Sequence, residues 1–154
     1  MTLYLLSLFI GIVAGLRAMT APAAVSWAAS LGLLDLSGNW LAFMGYRFTP
    51  WILSVLALAE LVTDKLPATP SRKVPQQFGA RIVTGALAGA AIGAGSGMLA
   101  GGAILGAIGA VIGTLGGAAI RARLAAAFGR DRPAALIEDL VAMTGAVLVV
   151  LSLA

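Results

Sequence analysis

The chain has 154 residues, 60% of them hydrophobic and 10% charged, with ten basic and six acidic side chains and a net charge of +4. Soluble domains carry roughly 25% charged residues, so the composition is that of one integral membrane domain over residues 1–154. With no cysteine and no histidine, disulfides, thiolate chemistry, zinc sites and imidazole catalysis are excluded by inventory, and neither a cofactor nor a resident metal is expected.

Five crossings are predicted, on the rule that a span needs about 20 predominantly apolar residues. The first covers Leu3 to Ser30. Its start, Met1-Thr2-Leu3-Tyr4, lacks the positive charge of a cleaved signal peptide, so this span is expected to be retained. Arg17 lies about 14 residues, or roughly 20 Å, into it. On a helix Arg17 shares a face with Val13, Ala14, Thr20, Ala21 and Ala24, which points it into the bundle. Pro22 nearby removes a backbone donor and is expected to kink the helix.

Between the first and second spans, Trp40, Phe43, Tyr46 and Trp51 suit an interfacial aromatic belt, with a short helix lying in the headgroup region. The second span covers Thr49 to Thr63 and carries Glu60, with Asp64 four residues on and Lys65 next. Four residues apart, Glu60 and Asp64 share a helical face. Three prolines follow within Leu66–Pro75, which predicts a stiff, extended loop.

The third span (Ala80 to Ala94) and the fourth (Met98 to Leu124) are separated at Gly95-Ser96-Gly97, because the apolar run is too long for one crossing; one long tilted helix over 80–124 is the alternative and gives four spans. Glycines stand at every fourth position: Gly85, Gly89, Gly93, Gly97 and Gly101, then Gly109, Gly113 and Gly117. On a helix each series is a side-chain-free seam, which lets neighbouring backbones approach closely. Arg81 extends the first seam backwards and Arg121 extends the second forwards. The fifth span, Ala134 to Leu153, opens near Glu138 and Asp139.

Basic residues concentrate in two segments. One holds Lys65, Arg72, Lys73 and Arg81, and the other Arg121, Arg123, Arg130 and Arg132. The positive-inside rule puts both in the cytoplasm. Five spans with the N-terminus cytoplasmic and the C-terminus outside satisfy it, and the charge then reports topology rather than nucleic-acid binding. Arg72, Lys73, Arg130 and Arg132 read as topology determinants and contacts to anionic lipid headgroups. A weak echo links 57–60 to 135–138 and 11–15 to 113–117. With five spans both pairs run in opposite directions, the arrangement of an inverted repeat.

Ionisable side chains inside a bilayer are costly, on the order of 2.5–3.5 kcal/mol each at a helix centre, and mark function or pairing. Arg17, Glu60, Asp64, Lys65, Arg81, Arg121, Glu138 and Asp139 converge on one end of the predicted bundle. Two readings stay open. One is a cytoplasm-facing cavity for an ion or small anionic solute, with Glu60 or Glu138 exchanging protons. The other is an ion-pair network that orders helix ends, with Arg17 paired to Glu60 or Glu138. A third pattern, Glu60 and Asp64 followed by Pro70-Ser71-Arg72, is faintly similar to undecaprenyl-pyrophosphate phosphatase motifs. Carboxylates and Arg72 holding a metal and a lipid phosphate would be its chemistry.

Gly15-Leu16-Arg17-Ala18-Met19-Thr20-Ala21-Pro22, Glu60-Leu61-Val62-Thr63-Asp64-Lys65-Leu66-Pro67, Pro70-Ser71-Arg72 and Ile137-Glu138-Asp139 together resemble a family of small bacterial integral membrane proteins catalogued as a domain of unknown function. The resemblance implies a multi-pass protein of the bacterial cytoplasmic membrane. It also implies that Arg17, Glu60, Asp64, Lys65, Pro67, Arg81, Glu138 and Asp139 belong to one site. The leading expectation is a transporter or channel subunit acting as a homodimer. The alternatives are a non-catalytic scaffold or lipid-binding protein and a lipid-phosphate hydrolase.

Overall fold

The computed structural model covers residues 1–154 and is entirely helical. Its α-helices are α1 (Thr2–Leu16), α2 (Thr20–Ser30), α3 (Thr49–Thr63), α4 (Pro75–Ala94), α5 (Leu99–Phe128) and α6 (Asp131–Leu151), with a 3₁₀ helix at Trp40–Gly45. The 3₁₀ helix is the short helix expected between the first two spans. Asn39 starts it by accepting the Leu41 N–H. Before it, Ser37 donates its hydroxyl and its backbone N–H to Asp35, which holds that exposed carboxyl below the usual carboxylate range.

Five full-length crossings are not found. Two helices, α5 and α6, are long and apolar enough to cross a membrane; α1 and α3 are apolar but have 15 residues each. The largest departure is at the first predicted span. Arg17 leaves helical geometry at φ −141°, ψ 107°, and the chain turns at Arg17-Ala18-Met19. The break precedes Pro22, which sits inside the first turn of α2, where a missing N–H costs nothing. Thr2 and Leu3 then border the same hollow as Leu33, Leu34 and Gly95. So α2 returns to the end from which α1 began, and the two form a hairpin.

The glycines explain the packing: Gly85, Gly89 and Gly93 of the first series and Gly109 and Gly113 of the second lie in helix interfaces, while Gly97 and Gly101 leave the first series. The run breaks at Gly95–Met98 as expected, with Gly97 at φ +74°. Gly85, Gly89 and Gly93 of α4 pack on Gly102 and Gly106 of α5, running antiparallel. Across α5, Gly109 and Gly113 lie on the backbone of Leu8 and Ile12, and Gly11 faces Gly106. Gly101 faces the Tyr4 ring instead of continuing the α4 series. A Cβ on Gly106 would fall inside the van der Waals envelope of the Gly85 carbonyl oxygen. These interfaces are backbone against backbone.

Helix α1 therefore runs parallel to α5, because Tyr4 meets Gly101 and Gly15 meets Ala110. An inverted repeat required the opposite, so the 11–15 and 113–117 echo has no structural counterpart. The N-terminus also lies at the end opposite the basic segments, so the expectation of both in the cytoplasm fails. Nor is the proline-rich loop extended. It folds into successive turns, with Thr69 N–H bonded to the Leu66 carbonyl and Val74 N–H to that of Ser71.

The core is apolar, with Ile10, Val25, Leu41, Met44 and Ile92 buried among alanines, but charge and large apolar side chains are placed unusually for a water-soluble protein. Arg17, Ser7, Ser26 and Thr114 are fully buried and Arg81 is 1% exposed, whereas Ile52, Val55, Leu58 and Val62 of α3 and Leu140, Leu148 and Leu151 of α6 are exposed. Monomeric soluble proteins rarely show apolar patches beyond a few hundred Å².

Candidate functional site

The hairpin turn between α1 and α2 sits where the C-terminal end of α3, the N-terminal part of α4, the C-terminal part of α5 and the N-terminal part of α6 meet. A helix end presents unpaired carbonyls or amides, and here other helices supply the partners. Arg81 Nη1 donates to the carbonyls of Gly15 at 2.9 Å and Leu16 at 2.8 Å. Thr114 Oγ1 adds a bond to Gly15 O at 3.3 Å. Across the turn, the Glu60 carboxylate accepts the N–H of Ala18 and of Met19, each at 2.8 Å. Cation at the carbonyl end and anion at the amide end match the two helix dipoles.

Arg17, between these ends, is fully buried and bridges two carboxylates. Its guanidinium pairs with Asp64 and with Asp139, the latter through Nε at 2.6 Å. The expectation of a pair with Glu60 or Glu138 is corrected: Glu60 is committed to the backbone amides, with Arg81 Nη2 at 3.7 Å. Glu138 is held by Arg72 through both carboxylate oxygens, one of them at 2.8 Å. Lys65 Nζ binds Asp139 at 2.5 Å. Arg121 reaches Asp64 at 3.3 Å and Glu138 at 3.4 Å, and grips Asp131 at 2.9 and 2.6 Å.

The eight charged residues expected to converge are all present in this network; Pro67, which the resemblance adds to the site, takes no part in its bonds. Two were missed. Arg72, read as a topology determinant and lipid contact, is 9% exposed and carries the bidentate bond to Glu138. Its place in the Pro-Ser-Arg motif was the available signal. Asp131 joins through Arg121 and had no signal of its own. In total five cations and five carboxylates pair with one another. Lys73, Arg123, Arg130 and Arg132 make no ion pair and are exposed at the same end.

A cavity of about 350 Å³ opens beside the network, lined by Asp64, Thr69, Ser71, Arg72, Arg121 and Asp131 among others. The Nε of buried Arg81 has no acceptor. No three carboxylates are spaced to share a metal ion. Glu60, Asp64 and Arg72, which phosphatase chemistry needs together, face three different partners: the Ala18 and Met19 amides, Arg17, and Glu138.

Comparison with family models, with curated proteins and with solved structures finds no match for the chain. The family resemblance rests on the quoted motifs alone.

Proposed function

We propose that the chain is a multi-pass protein of the bacterial cytoplasmic membrane, and that the network at the α1–α2 turn is the working site of a small transporter or channel subunit. The membrane placement is supported by exposed Leu, Ile and Val on the outer faces of α3 and α6, and by fully buried charges at one end of an otherwise apolar, glycine-rich interior. Close helix approach through glycine is the packing that lipid favours. Placing the basic end in the cytoplasm leaves both chain termini on the outer side and makes α1–α2 a hairpin that enters from outside. A homodimer is the proposed assembly.

The observation that carries the transport reading is the helix reversal at Arg17, where two helix ends meet inside the bundle. Helix breaks in transporters surround binding sites, because free helix ends supply fixed partial charges. Here the break is held by Glu60 and Arg81, Arg17 fills it, and Asp64 connects it to the open cavity. A bundle needing only stability would bury apolar groups more cheaply than paired ions. The cargo class is a proton or a small anion.

Purified protein in vesicles tests this. Proton or chloride flux above that of empty vesicles, reduced at least tenfold by Glu60→Gln, is the expected result. Flux indistinguishable from empty vesicles removes the transport reading. A second reading, a scaffold without turnover, is favoured by one observation: every carboxylate of the site is already paired. That reading expects no flux from the wild type and no effect of Glu60→Gln beyond stability.

A further inference from the structure

Arg121 borders two hollows of opposite character. On one side of α5 it lines the polar cavity with Ser71, Arg72 and Asp131. On the other it lies at the end of an apolar hollow of about 310 Å³ between α1, α5 and α6. A second apolar hollow, about 400 Å³, continues from the first, since both are bordered by Ile12, Leu16 and Val141. Together they make a groove beside α6 from Ala134 to Ser152. That rise is about 27 Å, longer than the roughly 15 Å of one leaflet, so an acyl chain fits within it. The wall beside Arg121 is formed by glycines, and a Cβ added at Gly116 would meet nothing within 4 Å.

We infer that this pair of hollows binds an anionic phospholipid, with its phosphate on Arg121, its head group in the polar cavity and one acyl chain in the groove. Guanidinium presents paired N–H donors that match a phosphate in two-point contact. Those donors are now held by Asp131, whose side chain is 60% exposed. A phosphate has the same charge sign as that carboxylate and can take its place. The exposed, unpaired Lys73, Arg123, Arg130 and Arg132 surround the same end of the bundle. Juxtamembrane cations of this kind attract anionic lipid by about 1 kcal/mol each. A second copy of the chain suits this groove less well, because the groove ends on Arg121, which a phosphate matches and the apolar outer helix faces of another copy do not.

The inference rests on the membrane placement proposed above and is independent of transport. The test uses the full chain, stripped of lipid in neutral detergent, with the thermal midpoint read on adding phosphatidylglycerol, phosphatidylcholine or inorganic phosphate. Phosphatidylglycerol is expected to raise the midpoint by about 5 °C, and the other two by less than about 1 °C. Gly116→Leu fills the groove from a position with open space, so it should fold with an unchanged lipid-free midpoint and lose the shift. Asp131→Asn releases Arg121 and should enlarge it. An equal shift with phosphatidylcholine, an equal shift with inorganic phosphate, or a Gly116→Leu protein that responds like wild type each overturns the site. Protein that fails to enter phosphatidylcholine vesicles overturns the membrane placement as well. Inserted protein without lipid discrimination overturns the lipid site alone.

Discussion

Glu60 and Arg81 close the two sides of a single chain reversal while standing 3.7 Å from each other. Glu60 takes the amides that open α2, and Arg81 takes the carbonyls that end α1. The salt bridge between them is therefore also the link between two helix caps. Removing either side chain leaves buried backbone groups without partners, which costs more than the pair's own attraction.

Glu60→Gln keeps an acceptor oxygen but loses the charge that faces both α2 and Arg81. A loss of about 1–2 kcal/mol is expected, and Glu60→Ala should lose more, since two amides are then orphaned. Thermal unfolding in detergent compares the two. Equal midpoints for wild type and Glu60→Ala would contradict the capping role.

Arg17 carries the largest predicted effect. Arg17→Met leaves Asp64 and Asp139 facing each other without their shared cation, and breaking a buried pair in this way costs about 3–5 kcal/mol. Arg17→Lys should rescue little, because one ammonium cannot span two carboxylates as the guanidinium does. Adding Asp139→Asn to Arg17→Met should restore part of the loss. The yield of monodisperse protein and its unfolding midpoint read all three variants.

Two glycines separate packing from helix propensity. Gly106→Ala forces a methyl against the Gly85 carbonyl and should destabilise by about 1–3 kcal/mol through overpacking. Gly116→Ala, on the open side of the same helix, should be neutral or stabilise by up to ~1 kcal/mol. Denaturation midpoints of the two variants should lie on opposite sides of wild type or nearly so.

Topology can be read by labelling, since the natural chain contains no cysteine. Single cysteines at Thr2 and Ser152 should react with a membrane-impermeant maleimide from one side of oriented vesicles. Cysteines at Thr69 and Arg130 should react only from the other side. Thr2 and Thr69 labelled from the same side would overturn the hairpin arrangement.

Much of the charged end was legible before any coordinates. Arg17, Glu60, Arg81 and Glu138 stood out because ionised groups in apolar sequence demand partners, and the helix break at Gly95–Gly97 followed from length. Pairing was not legible. Whether Arg17 meets Glu60 or Asp64 depends on the chain reversing beside it; in the apolar run from Leu3 to Ser30 only Arg17 and Pro22 mark the place, and a proline there reads as a kink rather than a full reversal. The glycine seam was read by period within one sequence stretch, yet Gly102 and Gly106, outside that series, receive α4. Contact between helices is set by their relative rotation and direction, which a four-residue period leaves undetermined.

The cluster at the α1–α2 turn has consequences in an energised membrane. Five positive and five negative groups cancel, so a transmembrane voltage exerts no net force on the assembly as a whole. A single unbalanced charge there would feel up to about 2.3 kcal/mol per 100 mV, scaled by the fraction of the field it crosses. Protonating one carboxylate, or admitting one anion, is therefore the event that would make this otherwise electrically silent centre responsive to potential.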